Sequence, residues 1–456
     1  MYELLVLTPA NWEDTIQQFL RYKNDTLIRT KSITLDYIKL NYAGNDIQEK
    51  IKKAIEQEHR NNKVKYVMLV GDADKFPVRY VKAINTEWGT KWYPSDLYYA
   101  DLYDKNGNFD DWDYQNDGIY GEIDFANRAF QDTNIDKIDM IPDVAIGRVP
   151  SSSQSETKMY LEKVMIYEFC ARESTYFNYD SNWAKRALFV VDGDPEVEGG
   201  VGPFGDETLS NQYSKPLVDS GFELIKRFKD YSPWNSMSDA QRAAEFTKVI
   251  NQGVGFVNYF GHGGTGSFSQ WYSKSHFPNL INQYRLPIVY ATACLTARFH
   301  NEFPISAASY EAVNGGNWTG GASPRPEPAG VQPSKYDRDS MAEEFLVKRK
   351  TGAVAYIGTT SKIEHGGKSL TQYFFDAYKK MSKVKTPALG ELWKYAQTEF
   401  AKTDALQGMN GYFAFIHIHK VMMFGDPSLR VGGIRYTPHK VPSIGTKTEL
   451  LNELLN

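Results

Sequence analysis

Residues 253–264, GVGFVNYFGHGG, and 286–294, LPIVYATAC, decide how this chain is read. Each is an apolar run that stops at a residue able to do chemistry, His262 in the first and Cys294 in the second. Continuous runs of this length, without polar alternation, fit strands buried on both faces, as in a parallel sheet covered by helices. In such a sheet the ligand crevice lies beyond the carboxyl ends of the strands, where both residues fall. The 32 residues from one to the other hold a single crossover, so the two strands are expected to be neighbours.

A cysteine attacks as the thiolate, and an imidazole beside it takes the thiol proton and later protonates the leaving amine. Glycines on both sides of His262, Gly261 and Gly263, allow close approach of the backbone, so their N–H groups, with that of Cys294, are candidates for an oxyanion hole. Taken singly, a histidine in a glycine turn and a small thiol are ordinary core residues. Their joint placement at two successive strand ends favours acyl transfer.

Outward from this pair the same alternation continues. YELLVLT (2–8) reads as a strand, DIQEKIKKAIEQEHR (46–60) as an amphipathic helix and VKYVMLVGDADKFP (64–77) as a buried strand, together a βαβ unit. A Tyr- and Asp-rich segment follows to about residue 140, then strand PDVAIGRVP (142–150) and a long helix to about residue 172 with Cys170 in its last turn. The polar break at 173–182 is the expected seam: an N-terminal α/β subdomain over 1–178, a catalytic subdomain over 179–437 and a C-terminal tail over 438–456. The second unit opens on AKRALFVVDGD (184–194) and closes on VMMFGDPSLRV (421–431).

The chain has 456 residues, 41% hydrophobic and 14% aromatic, enough apolar surface for packed cores. A formal net charge of −4, with no basic, aromatic-interleaved stretch, argues against nucleic acid as a partner. Two cysteines make neither a disulfide framework nor a zinc site. No apolar run reaches the roughly 18 residues of a membrane span. The opening MYELLVLTPANWED lacks the basic flank of a signal peptide, with a leader removed beforehand left open.

With these residues in view, the sequence resembles the gingipain family of cysteine peptidases, relatives of caspases, legumain, clostripain and separase. Matching stretches run along nearly the whole chain: YVMLVGDADKFP, SDLYYADL, DVAIGRVP, GFVNYFGHGG, LPIVYATACLTARF, GAVAYIGTT and FGDPSLRV. The resemblance implies a caspase-like three-layer α/β sandwich with a mainly parallel sheet, preceded by the smaller α/β subdomain. It implies endopeptidase activity on protein or peptide substrates, with Cys294 as nucleophile, His262 as base and Gly263 in the oxyanion hole. Asp194 lines up with an acidic residue that orients the histidine, with Asp192 as the fallback; such a carboxylate would fix the imidazole tautomer. Asp206, with Glu207 beside it, falls where some members hold an arginine guanidinium, implying a basic residue before the cut. Trp271 packs against the site or belongs to the core. Family members are usually exported, so a secreted or cell-surface location is implied, with the cytoplasm as the alternative. This chain has Thr296-Ala297 where the family usually has Asn-Gly. An idle peptide-binding or scaffold module, or a peptide ligase on the same dyad, stays open as an alternative.

Catalysis of this kind needs no cofactor. In DLYDKNGNFDDWD (101–113), Asp104, Asn106, Asn108 and Asp110 alternate as hard oxygen donors suited to structural calcium, although Phe109 stands where an EF-hand needs glycine. The Gly- and Pro-rich loop through 314–338 is expected to be a lid or a self-cleaved segment, with Arg325, Lys335 and Arg338 as cutting points. His276, His300 and His365 form no ligand set; His417 and His419 are read as a weak pair on one strand face.

Overall fold

The structure is a computed structural model; it describes residues 1–26, 28–85, 89–128, 132–170, 181–192, 206–229, 232–299, 339–363, 368–405 and 411–433. In chain order the strands of the first part are β1 (Leu4–Thr8), β2 (Thr30–Thr34), β3 (Tyr66–Val70), β4 (Arg79–Asn85), β5 (Gly89–Ser95), β6 (Ile123–Asp124) and β7 (Ala145–Val149). They are followed by β8 (Arg186–Asp192), β9 (Glu223–Phe228), β10 (Phe256–Gly261), β11 (Gly263–Gly264), β12 (Ser267–Phe268) and β13 (Tyr272–Ser273). The last are β14 (Ile288–Thr292), β15 (Ala355–Thr359) and β16 (Val421–Phe424). Helices are α1 (Glu13–Thr26), α2 (Leu35–Asn41), α3 (Ile47–Asn62), α4 (Leu97–Ala100), α5 (Gln154–Cys170) and α6 (Asp206–Val218). After them come α7 (Asp239–Gln252), α8 (Met341–Leu346), α9 (Lys368–Met381), α10 (Leu389–Phe400) and α11 (Gly411–Lys420).

Ten strands make one sheet in the order β2-β1-β3-β7-β16-β15-β14-β10-β8-β9. Every residue of β1, β3, β7, β14 and β15 is buried, as expected for strands with helices on both faces. Neighbours are parallel throughout except at the centre, where β15 and β16 run antiparallel. The sheet is therefore two five-stranded parallel halves pointing in opposite directions. Both halves wind alike: the first strand (β1 or β8) pairs with its successor on one side, and the third strand (β3 or β10) returns to its other side. The expected seam at 178 falls within 171–180, outside the described residues, and the segments before and after it meet in this single sheet at β7 and β16.

Helix starts follow their sequence signals. The Asp46 side chain caps α3 by accepting from the Glu49 N–H at 2.8 Å, and α7 starts with a capping box between Ser238 and Gln241. The same Asp46 carboxylate takes a two-pronged contact from buried Arg79, at 2.6 and 2.8 Å. Arg148, at the end of β7, pairs with Asp96 through two bonds of 2.7 Å and donates to the carbonyls of Gly71, Phe76 and Pro77. Lys23 of α1 sits between Glu168 of α5 (2.9 Å) and Asp426 after β16 (2.7 Å), all three without solvent exposure.

His417 and His419 lie on α11, not on a strand, and both are buried. The stretch YFAFIHIH alternates as a strand would, but a helix apolar on all sides has no period to betray it. The structure also adds the antiparallel pair β4 and β5, whose interleaved Arg79, Lys82 and Lys91 hide it from a search for apolar runs.

Candidate active site

β10 and β14 are adjacent and parallel, in a register that sets Phe256 against Ile288 and Phe260 against Thr292. His262 follows β10 by one residue and Cys294 follows β14 by two, and continuing the offset two residues past the last pair, Phe260 with Thr292, would set His262 against Cys294. Close approach of the two loops has a second witness: a Cβ on Gly263 would fall 2.8 Å from the Cys294 carbonyl oxygen, 2.9 Å from the Ala293 Cβ and 2.7 Å from the Thr296 Cγ2. Only glycine lets the chain after His262 lie this tightly against the chain around Cys294. His262 is exposed and Cys294 half-buried, so the thiol is not sealed in the core.

Hydrogen bonds hold both loops in place. The His262 carbonyl accepts from the Ser269 N–H (2.9 Å) and from the Tyr259 hydroxyl (2.7 Å). Tyr259 is fully buried on β10 and stacked on Phe268 with ring centres 4.1 Å apart; burial first, then the neighbouring Asp192 charge, holds its hydroxyl protonated and thus a donor. On the other loop, the Ile363 N–H points at the Cys294 Sγ from 3.3 Å, so a thiolate there has a ready donor. Leu295 has φ of +61°, a conformation disfavoured for a branched side chain that turns the chain sharply after Cys294. Beyond it the Leu295 and Ala297 N–H groups bond to the carbonyls of Ser361 and Thr359, both at 3.0 Å, which keeps the Cys294 loop against the end of β15.

Asp192 ends β8 beside Gly261. Its carboxylate accepts from the Trp271 indole at 2.9 Å and faces the Arg242 guanidinium at 3.8 Å. Trp271 is 2% exposed, inside an aromatic cluster with Trp234, Phe246 and Tyr272, so it braces the end of β8 from within the core. Asp194 lies outside the described residues. Asp206 and Glu207 occupy the first turn of α6, and their side chains likewise fall outside the description. So do His300, His365 and the 314–338 loop. His276 accepts from the Ser273 N–H (3.0 Å) and stacks on Tyr272, a local structural role.

In the 104–110 loop, Asp104 accepts from the backbone N–H groups of Asn106 and Asn108 at 2.8 and 2.9 Å and from both side-chain amides at 3.3 and 3.2 Å. These bonds, led by the Asn108 N–H, hold its carboxyl below the usual range. Asn106 and Asn108 thus turn nitrogen, not oxygen, toward the turn centre. Among the described residues no group of three or more His, Cys, Asp or Glu side chains is placed to hold a metal ion. No described helix is long and apolar enough to cross a membrane.

Signals for Tyr259, Ile363 and Leu295 are faint in the sequence. Ile363 acts through its backbone, which no residue type announces, and Tyr259 reads as one more apolar strand residue.

A thiol and an imidazole on adjoining carboxyl ends of a wound parallel sheet define the class of cysteine-dependent hydrolases. The profile of Peptidase family C25 matches residues 1–432. Gingipain R2 and gingipain R1 of Porphyromonas gingivalis are each 24% identical over 324 residues, which is 70% of this chain but 35% and 26% of theirs. The chain thus spans about a third or less of the curated relatives it matches. Among solved structures, the Arg-specific cysteine proteinase gingipain R superposes with a TM-score of 0.61 at 19% identity, covering 94% of this chain and 78% of that one. The complex of pro- and mature domains of RgpB gives 0.60 at 20% identity, covering 94% and 79%. These likenesses establish a gingipain-like α/β fold. The chain belongs to peptidase family C25, a family of cysteine-type peptidases.

Proposed function

We propose that this chain is a cysteine endopeptidase in which Cys294 attacks the scissile carbonyl and His262 serves it as base and then acid. The observation that carries this reading is the β10–β14 register, which puts the two residues just past the ends of neighbouring strands, with Cys294 half-buried. His262 takes the thiol proton, Sγ bonds to the carbonyl carbon, and the oxygen becomes an oxyanion facing the N–H groups of Gly263 and Cys294. Collapse breaks the C–N bond as His262 protonates the departing amine. Water, deprotonated by the same imidazole, then cleaves the thioester.

Asp194 is the group we assign to orient His262. Asp206, aided by Glu207, is assigned to hold a basic side chain before the cut, in keeping with the Arg specificity in the name of the structural neighbour. Trp271, buried and bonded through its indole to Asp192, is assigned to support the substrate cleft from the core. Export to the medium or the cell surface is the compartment inferred from the family. Calcium bound at Asp104, Asn106, Asn108 and Asp110 would have to turn both amides over, and its signature would be a melting temperature that rises with calcium chloride and falls with EDTA.

A positional peptide library cut by wild type beside Cys294→Ala tests the whole reading. Cleavage after Arg or Lys by wild type and none by the variant is expected. Residual cleavage by Cys294→Ala removes the nucleophile assignment, and cuts after acidic or apolar residues remove the assignment of Asp206. An idle binding module would cut nothing, and a ligase would return products carrying an added amine.

A further inference from the structure

Helix α8 touches both reactive loops at once. Its first two N–H groups diverge: Met341 N–H donates to the Thr265 carbonyl at 2.8 Å, three residues after His262, and Ala342 N–H donates to the Thr296 carbonyl at 3.0 Å, two residues after Cys294. First-turn N–H groups have no partner inside their own helix, so they are free to serve as such a clip. Ser340 and Glu343 form a capping box at this end, both buried.

At the other end of α8 the Ala353 N–H bonds to the Phe345 carbonyl at 2.9 Å, and one side chain reaches three carbonyls at once. Lys163 of α5 is buried, and its Nζ donates to the carbonyls of Phe345 (2.8 Å), Leu346 (2.9 Å) and Thr351 (2.8 Å). Those carbonyls belong to the last turn of the helix and the loop after it, where backbone acceptors are left over and positive charge is favoured. Three acceptors around one nitrogen match the three donors of an ammonium group and leave a neutral amine one short. Burial pulls the lysine pKa well below its usual value, so the seat rests on the three donor–acceptor contacts and not on charge alone. Phe345 completes the anchorage, packing edge-on to Phe277 at 4.6 Å, and Gly352 passes so near that a Cβ there would lie 2.5 Å from the Phe345 oxygen.

We propose that Lys163 is a positioning residue for the Cys294–His262 pair, seating α8 so that its two leading N–H groups fix the reactive loops relative to each other. The inference rests on the dyad assigned above and extends it to a residue remote from substrate. Its test is alkylation of Cys294 by iodoacetamide across pH, mapped to that cysteine by peptide mass, together with kcat and KM, in Lys163→Met and Lys163→Arg. For folded Lys163→Met, alkylation at neutral pH should slow about tenfold with its pH midpoint moved upward, and kcat should fall by a similar factor with KM nearly unchanged. Lys163→Arg, which keeps a cationic donor, should recover most of both. A folded Lys163→Met with the wild-type alkylation profile overturns the proposal, as does equal impairment of both variants in step with lost melting temperature. Should Lys163→Met fail to fold, Ser340→Ala loosens the opposite end of α8; an upward shift supports the proposal and an unmoved profile overturns it. Alkylation needs no peptide turnover, so it reports on the brace separately from the peptidase reading, which stands or falls on Cys294→Ala.

Discussion

Tyr259 shows how much of a reactive residue's behaviour is set by groups that never meet substrate. Its hydroxyl is one of two donors on the His262 carbonyl, and Tyr259→Phe removes that bond while keeping the ring stacked on Phe268. A hydrogen bond of this kind contributes about 1 kcal/mol, so kcat/KM should fall several-fold with a small loss of stability. Unchanged kinetics would mean that Ser269 alone holds the loop. His419 offers a prediction in pH. Its Nδ1 meets the Ser95 hydroxyl at 2.9 Å, its Nε2 is buried without a partner, and burial pulls its pKa to about 3. The unfolded imidazole takes up a proton near pH 6.5 and the folded one does not, so the unfolded state binds more protons and stability drains away as pH falls from about 6.5 toward 3. His419→Asn should flatten the melting-temperature slope across that window; a slope equal to wild type would assign the acid sensitivity elsewhere.

The elements that present the site were the most legible part of the sequence. β10 and β14 stand out because strands buried on both faces need unbroken apolar runs, and their carboxyl ends fall where His262 and Cys294 mark them. The short strands β11 to β13 were not visible, since two-residue strands leave no pattern. Nor was the contact that makes β11 a glycine pair. Gly263→Ala would push a methyl group into the Cys294 carbonyl, the Ala293 Cβ and the Thr296 methyl, all under 3.0 Å, with backbone and core atoms unable to swing aside. We expect at least a hundredfold loss of kcat, of the order seen when oxyanion donors are displaced, in a protein that still folds. Wild-type activity in this variant would show that the two loops separate freely. Asp194, Asp206 and Glu207 were read from resemblance and not from pattern, because a carboxylate in a polar loop looks the same whether or not it binds anything.

At the scale of the molecule, the parallel halves were foreseeable from alternating strands and helices, and the reversal at β15 and β16 was not. Strand direction depends on the route of the chain through α9, α10 and α11, which local composition does not record. A link between the sequence segments before and after residue 178 was equally hidden: a buried Lys23 shared by Glu168 and Asp426, residues far apart in sequence. Lys23→Met would leave two buried carboxylates facing each other, and losing the cation from such a cluster costs about 3–5 kcal/mol. The expected outcome is one cooperative unfolding transition at lower temperature; two separate transitions would instead show that the segments 1–178 and 179–437 melt independently. Since both halves wind alike, each presents a strand-end position of the kind that hosts ligands in wound sheets. Arg148 fills the one at the ends of β3 and β7, its guanidinium spread over three carbonyls and the Asp96 carboxylate. That position is plugged by the chain's own side chain, a resident guest held on four groups.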